Sequence, residues 1–304
     1  MNRILTYPVT AAEAGMSIGE YLQSRGYSRH LIIHLKQTPL GLHIGGRKVM
    51  TSHRLSAGET LTVQIIEEQS SEKIPPSHLP LSIVYEDDDL LILNKPADMP
   101  VHPSLGNYEN TLANGIAYYY QGQGLPFVFR CINRLDRDTT GLLILAKNML
   151  SAAVLSRQMK ERKISRTYLA LVRGNPEPSS GTIDAPIARI PGSVLERRVS
   201  PDGESAVTHY QVRKQLLSSA LVELHLETGR THQIRVHMKH IGHPLLGDFL
   251  YHPKDSSLSR QALHSYSLRF IHPITGCELF FHAPLPPDMQ EYIRLHEGGA
   301  EPSE

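Results

Sequence analysis

Asp136 is a carboxylate placed where it could act on a bound molecule. It follows Arg134 by two residues and precedes a Thr-Thr-Gly run at 139–141, after which the apolar run 142–145 begins. A carboxylate at a junction between a loop and a strand can point into a cleft and act there as a nucleophile or a base. An Asp beside Thr and Gly is also a common turn-former, so the local pattern leaves both interpretations open.

A second segment, residues 228–238, concentrates hydrogen-bond donors that suit phosphate oxygens and base edges. Those donors are Arg230, His232, Gln233, Arg235 and His237. Metal binding is the alternative, because His237, His240 and His243 are spaced by three residues. Three residues at this spacing sweep around a helix instead of sharing one face, and no HExxH motif is present. The segment therefore favours contacts to a nucleic acid over a metal site.

Tyr168 opens a third segment, the apolar and strand-like run 168–172. A Tyr in a strand is normally half-buried packing. Near a cleft it could equally stack on a nucleobase, which is worth about 1–3 kcal/mol per base.

The distribution of charge is more informative than its total. The 31 basic and 30 acidic residues give a formal net charge of +1, which argues against a strongly basic nucleic-acid binder. Between 157 and 173, however, one acid, Glu161, faces six bases: Arg157, Lys160, Arg162, Lys163, Arg166 and Arg173. A polyanion could bind such a basic face, and solvated surface charge is the alternative interpretation.

The 304-residue length suggests about two domains, and the composition is that of an ordinary globular protein. Cys131 and Cys277 are far apart and form no CxxC pair, which predicts no disulfide framework and fits a reducing, cytoplasmic setting. No apolar stretch of about 18 residues and no signal-peptide pattern is present, so the sequence predicts a protein that is neither secreted nor membrane-spanning.

Residues 1–68 are predicted to form a small α/β unit. Ser17 and Glu20 have the spacing of a capping box for one short helix, and Ser28 can cap a second. The Gly-Gly pair at 45–46 can close a hairpin. This order of two helices and a hairpin resembles the alpha-L RNA-binding module first known from a ribosomal protein, in which the second helix and the hairpin contact RNA. An unrelated α/β unit is the alternative.

Residues 69–80 have the composition of a linker, with several Ser and Pro residues. From 81 to 295 short apolar runs alternate with turn signals, and one amphipathic helix is predicted from about Leu150 to Arg162. Many strands and few helices predict an α+β domain built on a largely antiparallel sheet. Residues 296–304 are predicted to be a flexible tail.

These segments, in this order, resemble the RluA-type family of RNA pseudouridine synthases. Residues 133–141, Asn-Arg-Leu-Asp-Arg-Asp-Thr-Thr-Gly, are similar to that family's His-Arg-Leu-Asp-x-x-Thr-Ser-Gly signature. Residues 94–103 are similar to its early Lys-Pro and His-Pro segment, and residues 228–248 to its late motif. The resemblance extends from residue 81 to about residue 295.

The resemblance implies a pseudouridine synthase fold with a central active-site cleft, and isomerisation of a flipped-out uridine in RNA. It implies a catalytic set of Asp136, Tyr168 and Arg235. Asp136 would be the catalytic carboxylate and Arg235 its ionic partner, while Tyr168 would stack on the target base and assist proton removal from carbon 5. Arg134 would orient the loop or replace the flipped base in the RNA stack. The other expected RNA contacts are Lys95, His102, Thr139, Arg230, His232, Gln233 and His237.

The isomerisation is redox-neutral, and the chain shows neither a P-loop nor a dinucleotide fingerprint, so no cofactor and no metal are expected. The expected partner is ribosomal or transfer RNA, bound by a monomer. Two positions depart from the family signature. Thr140 keeps the hydroxyl of the usual Ser, whereas Asn133 replaces the usual His and brings substrate contacts or loop rigidity into question. Asn133 is also the main support for the alternative, an RNA-binding or ribosome-assembly factor that has lost catalysis.

Overall fold

The computed structural model describes residues 2–297. The strands are β1 (Asn2–Pro8), β2 (Leu42–Ile44), β3 (Arg47–Lys48), β4 (Thr60–Ile66), β5 (Ile83–Glu86), β6 (Leu90–Lys95), β7 (Thr140–Ala146), β8 (Ser165–Arg173), β9 (Ser180–Asp184), β10 (Ile187–Arg189), β11 (Arg197–Val199), β12 (Val207–Gln215), β13 (Ser219–Leu226), β14 (Leu263–Ile271) and β15 (Glu278–His282). The helices are α1 (Ile18–Ser24), α2 (Arg29–Gln37), α3 (Leu112–Gly122), α4 (Met149–Lys160), α5 (Gln233–His240) and α6 (Pro287–His296). Within this part of the chain, every helix is too short or too polar to cross a bilayer.

A nine-stranded sheet organises the larger part of the molecule. Its order is β5-β6-β7-β14-β8-β13-β12-β9, and β15 pairs with β14 outside this path. The pairing of β7 with β14 is parallel, while the other pairings in this sheet are antiparallel. The α+β class and the largely antiparallel mixed sheet predicted from the sequence are therefore confirmed.

The central strand β7 is buried on both faces, which explains why its sequence is a continuous apolar run. Leu143 and Leu145 pack into one hydrophobic core, which also includes residues of α3. Leu142 and Ile144 point to the other face and pack with Leu155 of α4. The loop that carries Asp136 leads directly into this strand, so one end of the loop is held by the most buried part of the sheet.

The N-terminal unit contains the helices and the hairpin predicted from its sequence. Ser17 and Glu20 form the capping box of α1, and the Ser28 side chain caps α2. A four-stranded sheet of order β1-β4-β2-β3 covers the helices. Strand β1 was not predicted, because Leu5 is its one fully buried residue and the run has no regular apolar alternation.

The N-terminal unit packs tightly against the rest of the molecule. Leu150 and Val154 of α4 belong to the same hydrophobic cluster as the side chains of the N-terminal helices. Arg3 donates hydrogen bonds of 2.9 and 2.7 Å to the two carboxylate oxygens of the buried Asp89. The domain limits 1–68 and 81–295 remain predictions, and this shared core joins the two parts.

The predicted linker, residues 69–80, is fixed to the larger part of the molecule. The hydroxyls of Ser70 and Ser71 accept hydrogen bonds of 3.1 Å from the amides of Phe127 and Phe129. Asn114 of α3 donates to the Pro75 carbonyl at 2.7 Å. Hydrogen bonds therefore hold this segment against the larger part of the molecule.

The predicted tail, residues 296–304, begins later than expected. His296 is the last residue of α6, where its ring stacks on Tyr292 at a centroid distance of 4.0 Å. Glu297 pairs with Lys214. The start of the tail at 296 is thus wrong, and residues 298–304 lie outside the described part of the chain.

Gly141 allows β7 and β14 to approach each other closely. Its φ is +107°, and a Cβ at this position would collide with the Ser265 backbone carbonyl. Gly15 also has a positive φ, of +86°, but a Cβ there would meet nothing within 4 Å. A side chain at Gly15 would cause backbone strain alone, whereas a side chain at Gly141 would cause both backbone strain and a steric clash.

We expect Gly141→Ala to lower the free energy of unfolding by roughly 3 kcal/mol or more, because overpacking of about 1–3 kcal/mol adds to left-handed strain of about 1–2 kcal/mol. Gly15→Ala should cost only the strain. Urea denaturation of both variants measures the difference. Equal losses would show that the close approach to β14 does not constrain this position.

Candidate active site

A cavity of about 910 Å³ lies against one edge of the central strands. It is lined mainly by three segments that are far apart in the sequence, residues 131–139, 159–168 and 226–235. Nine of the eleven predicted site residues border it, and Lys95 and His237 do not. The fold therefore assembles most of the predicted site in one place.

Asp136 combines the two interpretations that its sequence left open. Its carbonyl accepts a hydrogen bond of 3.1 Å from the Thr139 amide, so the residue does form a turn. Its carboxylate borders the cavity and is 27% exposed. One carboxylate oxygen accepts a hydrogen bond of 3.0 Å from Nη1 of Arg235. The turn thus presents the carboxylate to the cavity beside a fixed cation.

Arg235 is held by two carboxylates at once. Its Nε and Nη2 donate to the two oxygens of Asp248 at 2.7 and 2.8 Å, and its Nη1 donates to Asp136. The Arg235 side chain is 3% exposed and that of Asp248 is 0% exposed. Burial alone would lower the pKa of Arg235, but Asp248 and Asp136 outweigh it and hold the pKa above its ordinary value. The guanidinium is therefore a permanent positive charge in this wall.

Asp248 was not predicted as a site residue, although it ends the late motif at 228–248. Besides Arg235, it accepts hydrogen bonds of 3.1 Å from the amides of Leu250 and Tyr251. A carboxylate with several donors is strongly held, and a two-pronged contact to Arg also fixes the plane of the guanidinium. The signal available in the sequence was a single acid at the end of a basic, histidine-rich segment.

His232 immediately precedes α5 and has an unusual backbone conformation. Its φ of 59° and ψ of 18° are left-handed, which is uncommon for a residue other than glycine. Its Nδ1 lies 2.8 Å from the hydroxyl of Tyr251, and its Nε2 lies 3.8 Å from an oxygen of Asp136. Burial lowers the pKa of His232 while Asp136 opposes that effect, so the ring favours the neutral form at neutral pH. Strained residues of this kind cluster at functional sites.

Tyr168 lies in β8, where it is paired with Leu224 of β13 and Ser265 of β14. The side chain is buried yet borders the cavity. Burial raises the pKa of Tyr168, so the phenol stays protonated at neutral pH. Tyr168 is therefore packed in the sheet and also placed beside the cavity, and its stacking on a nucleobase stays a prediction.

Several arginines surround the mouth of the cavity. Arg134 is exposed and makes no hydrogen bond or ion pair with the residues described between 2 and 297. The Nε of Arg166 is buried and has no hydrogen-bond partner in the same part of the chain. Arg162 pairs with Glu227, and Arg230 pairs with Glu204 and donates to the Ser205 carbonyl at 3.0 Å. The unused donors of Arg134 and Arg166 suit phosphate oxygens.

His102 and Thr139 stay predictions as RNA contacts. His102 is exposed at the cavity edge and packs against the ring of Phe129, with ring centroids 4.5 Å apart. Partial desolvation and the charge of Arg134 lower the pKa of His102. Thr139 is buried but borders the cavity.

Lys95 is a correction to the predicted RNA contacts. Its Nζ is buried and donates to three carbonyl oxygens, those of Pro96 at 2.7 Å, Met99 at 2.9 Å and Arg137 at 2.7 Å. An ammonium with all three donors used inside the protein has no surface for RNA. Lys95 instead ties the loop after Asp136 to the early Lys-Pro segment.

The structure also corrects the expected role of His237. Both nitrogens of the fully buried His237 are engaged, Nδ1 with the Thr208 hydroxyl and Nε2 with the Ala185 carbonyl, each at 2.9 Å. His237 lies outside the cavity lining, so its side chain supports the protein interior and presents no group to RNA. The buried Gln233 accepts from the Arg230 amide at 3.0 Å and thereby closes the turn that leads into α5. Gln233 borders the cavity, and its contact with RNA stays a prediction.

Among residues 2–297, one group of three potential metal ligands lies within 4.8 Å, namely Asp87, Asp89 and His272. It is not part of the cavity lining. His272 Nε2 lies 3.0 Å from Asp87, which also accepts from the Tyr85 hydroxyl at 2.6 Å, while Asp89 binds Arg3. These atoms serve a protein network that joins the N-terminal unit to the sheet.

Comparison with known proteins identifies the family of the chain. A model of the RNA pseudouridylate synthase family matches residues 89–240, half of the chain. The chain belongs to this family. The synthase is 43% identical over 279 residues to the uncharacterized RNA pseudouridine synthase YjbO of Bacillus subtilis, covering 92% of this chain and 99% of that one.

A second relative of the synthase is ribosomal large subunit pseudouridine synthase D of Escherichia coli, 41% identical over 257 residues, which are 80% of this chain and 78% of the relative. Among solved structures, human RNA pseudouridylate synthase domain containing 1 superposes with a TM-score of 0.58 at 30% identity, covering 69% of the synthase and 85% of that chain. The predicted RluA-type family, fold and uridine-isomerising activity are confirmed.

We expect Asp248→Asn to lower the free energy of unfolding of the synthase by about 3 kcal/mol, because removal of one partner leaves the buried charge of Arg235 poorly compensated. Glu291→Gln is the control, since it removes a carboxylate from the exposed pair with Arg294 and should cost less than about 1 kcal/mol. Urea denaturation measures both. Similar losses in the two variants would contradict the structural role of Asp248.

Proposed function

We propose that the synthase isomerises uridine in ribosomal or transfer RNA, with Asp136 as the catalytic carboxylate acting on a base flipped into the cavity. The observation that carries this proposal is the 3.0 Å hydrogen bond between the Asp136 carboxylate and the buried guanidinium of Arg235. A cavity of about 910 Å³ beside this pair has room for a nucleotide.

The ion pair answers an electrostatic requirement of the reaction. RNA that covers the cavity removes water, and desolvation disfavours an ionised carboxylate. A unit charge at about 4 Å is worth on the order of 4 kcal/mol at an effective dielectric constant of about 20. Because Arg235 is fixed by Asp248, its charge is available without reorganisation when the substrate binds.

The chemistry breaks the bond between C1′ of the ribose and N1 of uracil, rotates the base, and forms a bond from C1′ to C5. The proton leaves C5 and a proton is gained at N1, so atoms and charge balance without a redox partner. Asp136 acts either as a nucleophile at the sugar or as a base toward it, and both roles need the ionised form. Tyr168 is proposed to stack on the uracil and to assist loss of the C5 proton.

RNA binding is proposed to use the arginines at the mouth of the cavity. Extrusion of a base costs a few kcal/mol of stacking and pairing. Arg134, which is exposed and has no partner among residues 2–297, could fill the vacated position in the stack. Arg166, and Arg230 on release from Glu204, are proposed to contact the phosphates of the flipped nucleotide. In the N-terminal unit, α2 and the β2–β3 hairpin are proposed to bind a neighbouring RNA helix, as in the alpha-L module that they resemble.

Ribosomal RNA is the favoured substrate class, because a relative that is 41% identical is named for the ribosomal large subunit. A cytoplasmic location and a monomeric state, both expected from the sequence, belong to the same proposal. Transfer RNA is the second class to test.

We expect Asp136→Asn to bind RNA with an affinity close to that of the wild type and to form no pseudouridine, because the amide keeps the shape but cannot act as a nucleophile or base. Release of tritium from C5 of labelled uridine in RNA that lacks native modifications measures turnover, and filter binding measures affinity. Asp138→Asn makes the same charge change two residues away and should remain active. Wild-type turnover in Asp136→Asn would refute the assignment.

A further inference from the structure

Asn133 stands where the family signature has His, and the structure shows what its side chain does. The residue is 3% exposed and lies beside β7. The segment before it runs antiparallel to β7, since the Ala146 amide donates to the Arg130 carbonyl at 2.9 Å and the Ile132 amide donates to the Ile144 carbonyl at 2.8 Å. Asn133 follows the last of these backbone pairs.

At this point the side-chain amide of Asn133, in place of the backbone, makes the hydrogen bonds to β7. Its Oδ1 accepts from the Ile144 amide at 2.8 Å, and its Nδ2 donates to the Leu142 carbonyl at 3.2 Å. In an uninterrupted antiparallel ladder these two groups would bond the Ile132 carbonyl and the Arg134 amide. The edge of β7 is therefore satisfied while the main chain is released to turn away.

We propose that Asn133 is a positioning residue that ends the pairing with β7 and sets the path of the loop carrying Asp136. This inference rests on the proposed function of Asp136. From Asn133 the chain turns toward the cavity, and three residues later the Asp136 carboxylate meets Arg235. A loop that kept pairing with β7 would carry Asp136 along the strand and away from that partner.

The amide is suited to this role because it offers a donor and an acceptor side by side, spaced like those of a peptide group. A carboxylate of the same shape has no donor. An imidazole has one of each in its neutral form, but on separated ring nitrogens that cannot serve neighbouring groups of one strand in the same way. The Asn133 carbonyl is also engaged, as it accepts from the Cys131 thiol at 2.8 Å.

Asn133→Asp is the decisive variant, because it keeps the shape and removes the donor to Leu142. At about pH 8 we expect kcat to fall by roughly tenfold to 100-fold, since a displacement of about 1 Å at a catalytic group has an effect of that order. The dissociation constant for RNA should stay within about twofold of the wild type, because both polar atoms of the Asn133 side chain are bonded to β7.

The pH dependence distinguishes positioning from general damage. A buried carboxyl beside a carbonyl oxygen has a raised pKa, and its protonated form again offers a donor beside an acceptor. As the pH falls to about 6, the ratio of wild-type to variant kcat should therefore shrink to less than about threefold. Taking the ratio of the two kcat values at each pH removes the effect of groups that titrate equally in the wild type and the variant.

Asn114→Asp is the matched control. Asn114 is likewise fully buried, and its Nδ2 donates to the Pro75 carbonyl at 2.7 Å, but it lies outside the cavity lining. We expect this variant to lose stability with little change in kcat. If Asn133→Asp does not fold, Asn133→Ala serves instead, with the same loss of kcat, the same RNA affinity and no recovery at low pH.

The outcomes separate this inference from the proposed function. A wild-type protein without turnover on RNA would overturn the proposed function. An active wild type would overturn the positioning role if Asn133→Asp kept its kcat, lost RNA affinity in place of kcat, or failed to recover as the pH falls. A loss of kcat in Asn114→Asp equal to that in Asn133→Asp would overturn it as well.

Discussion

The guanidinium of Arg235 bonds two carboxylates at once, and the geometry of the cavity depends on that division. A buried cation is costly unless it is paired and hydrogen bonded. Asp248, itself enclosed and held by backbone amides, takes two of the guanidinium donors and fixes the plane of the group. The third nitrogen of the guanidinium, Nη1, donates to Asp136. The positive charge beside Asp136 is thus fixed by the protein itself, which is the form of electrostatic assistance that enzymes use most effectively.

Other parts of the fold bring Asp136 to that donor. Strand β7 is packed on both faces and gives the loop a rigid end, and Asn133 turns the chain away from it. Lys95 donates hydrogen bonds to three carbonyl oxygens, one of which belongs to Arg137, the residue after Asp136. The left-handed His232 immediately precedes α5, which carries Arg235 into the same wall. The Asn133 side chain and Lys95 are themselves buried, so the site is organised by packing as much as by charge.

The sequence predicted correctly those elements that depend on interactions between residues close together in the chain. The capping box of α1, the Ser28 cap and the strand β7 follow from short-range patterns, and the structure contains them. The approach of Asp136 to Arg235 could not come from such patterns, because 99 residues separate the two. It came from resemblance to a family whose membership is now established. Lys95 and His237 were misassigned because a polar residue type does not reveal whether its partners are protein or RNA. The anchoring Asp248 was missed for the same reason.

The most direct test of this account is a double-mutant cycle on kcat with Asp248→Asn and Arg235→Lys. Lys keeps the positive charge but cannot bond two carboxylates through a planar fork. If Asp248 acts on catalysis through Arg235, each single variant has a lower kcat than the wild type. The kcat of the double variant should then be no more than about threefold below that of the less active single variant. Losses that multiply would show that the two residues act independently, and they would contradict the shared ion pair as the constraint that organises the site.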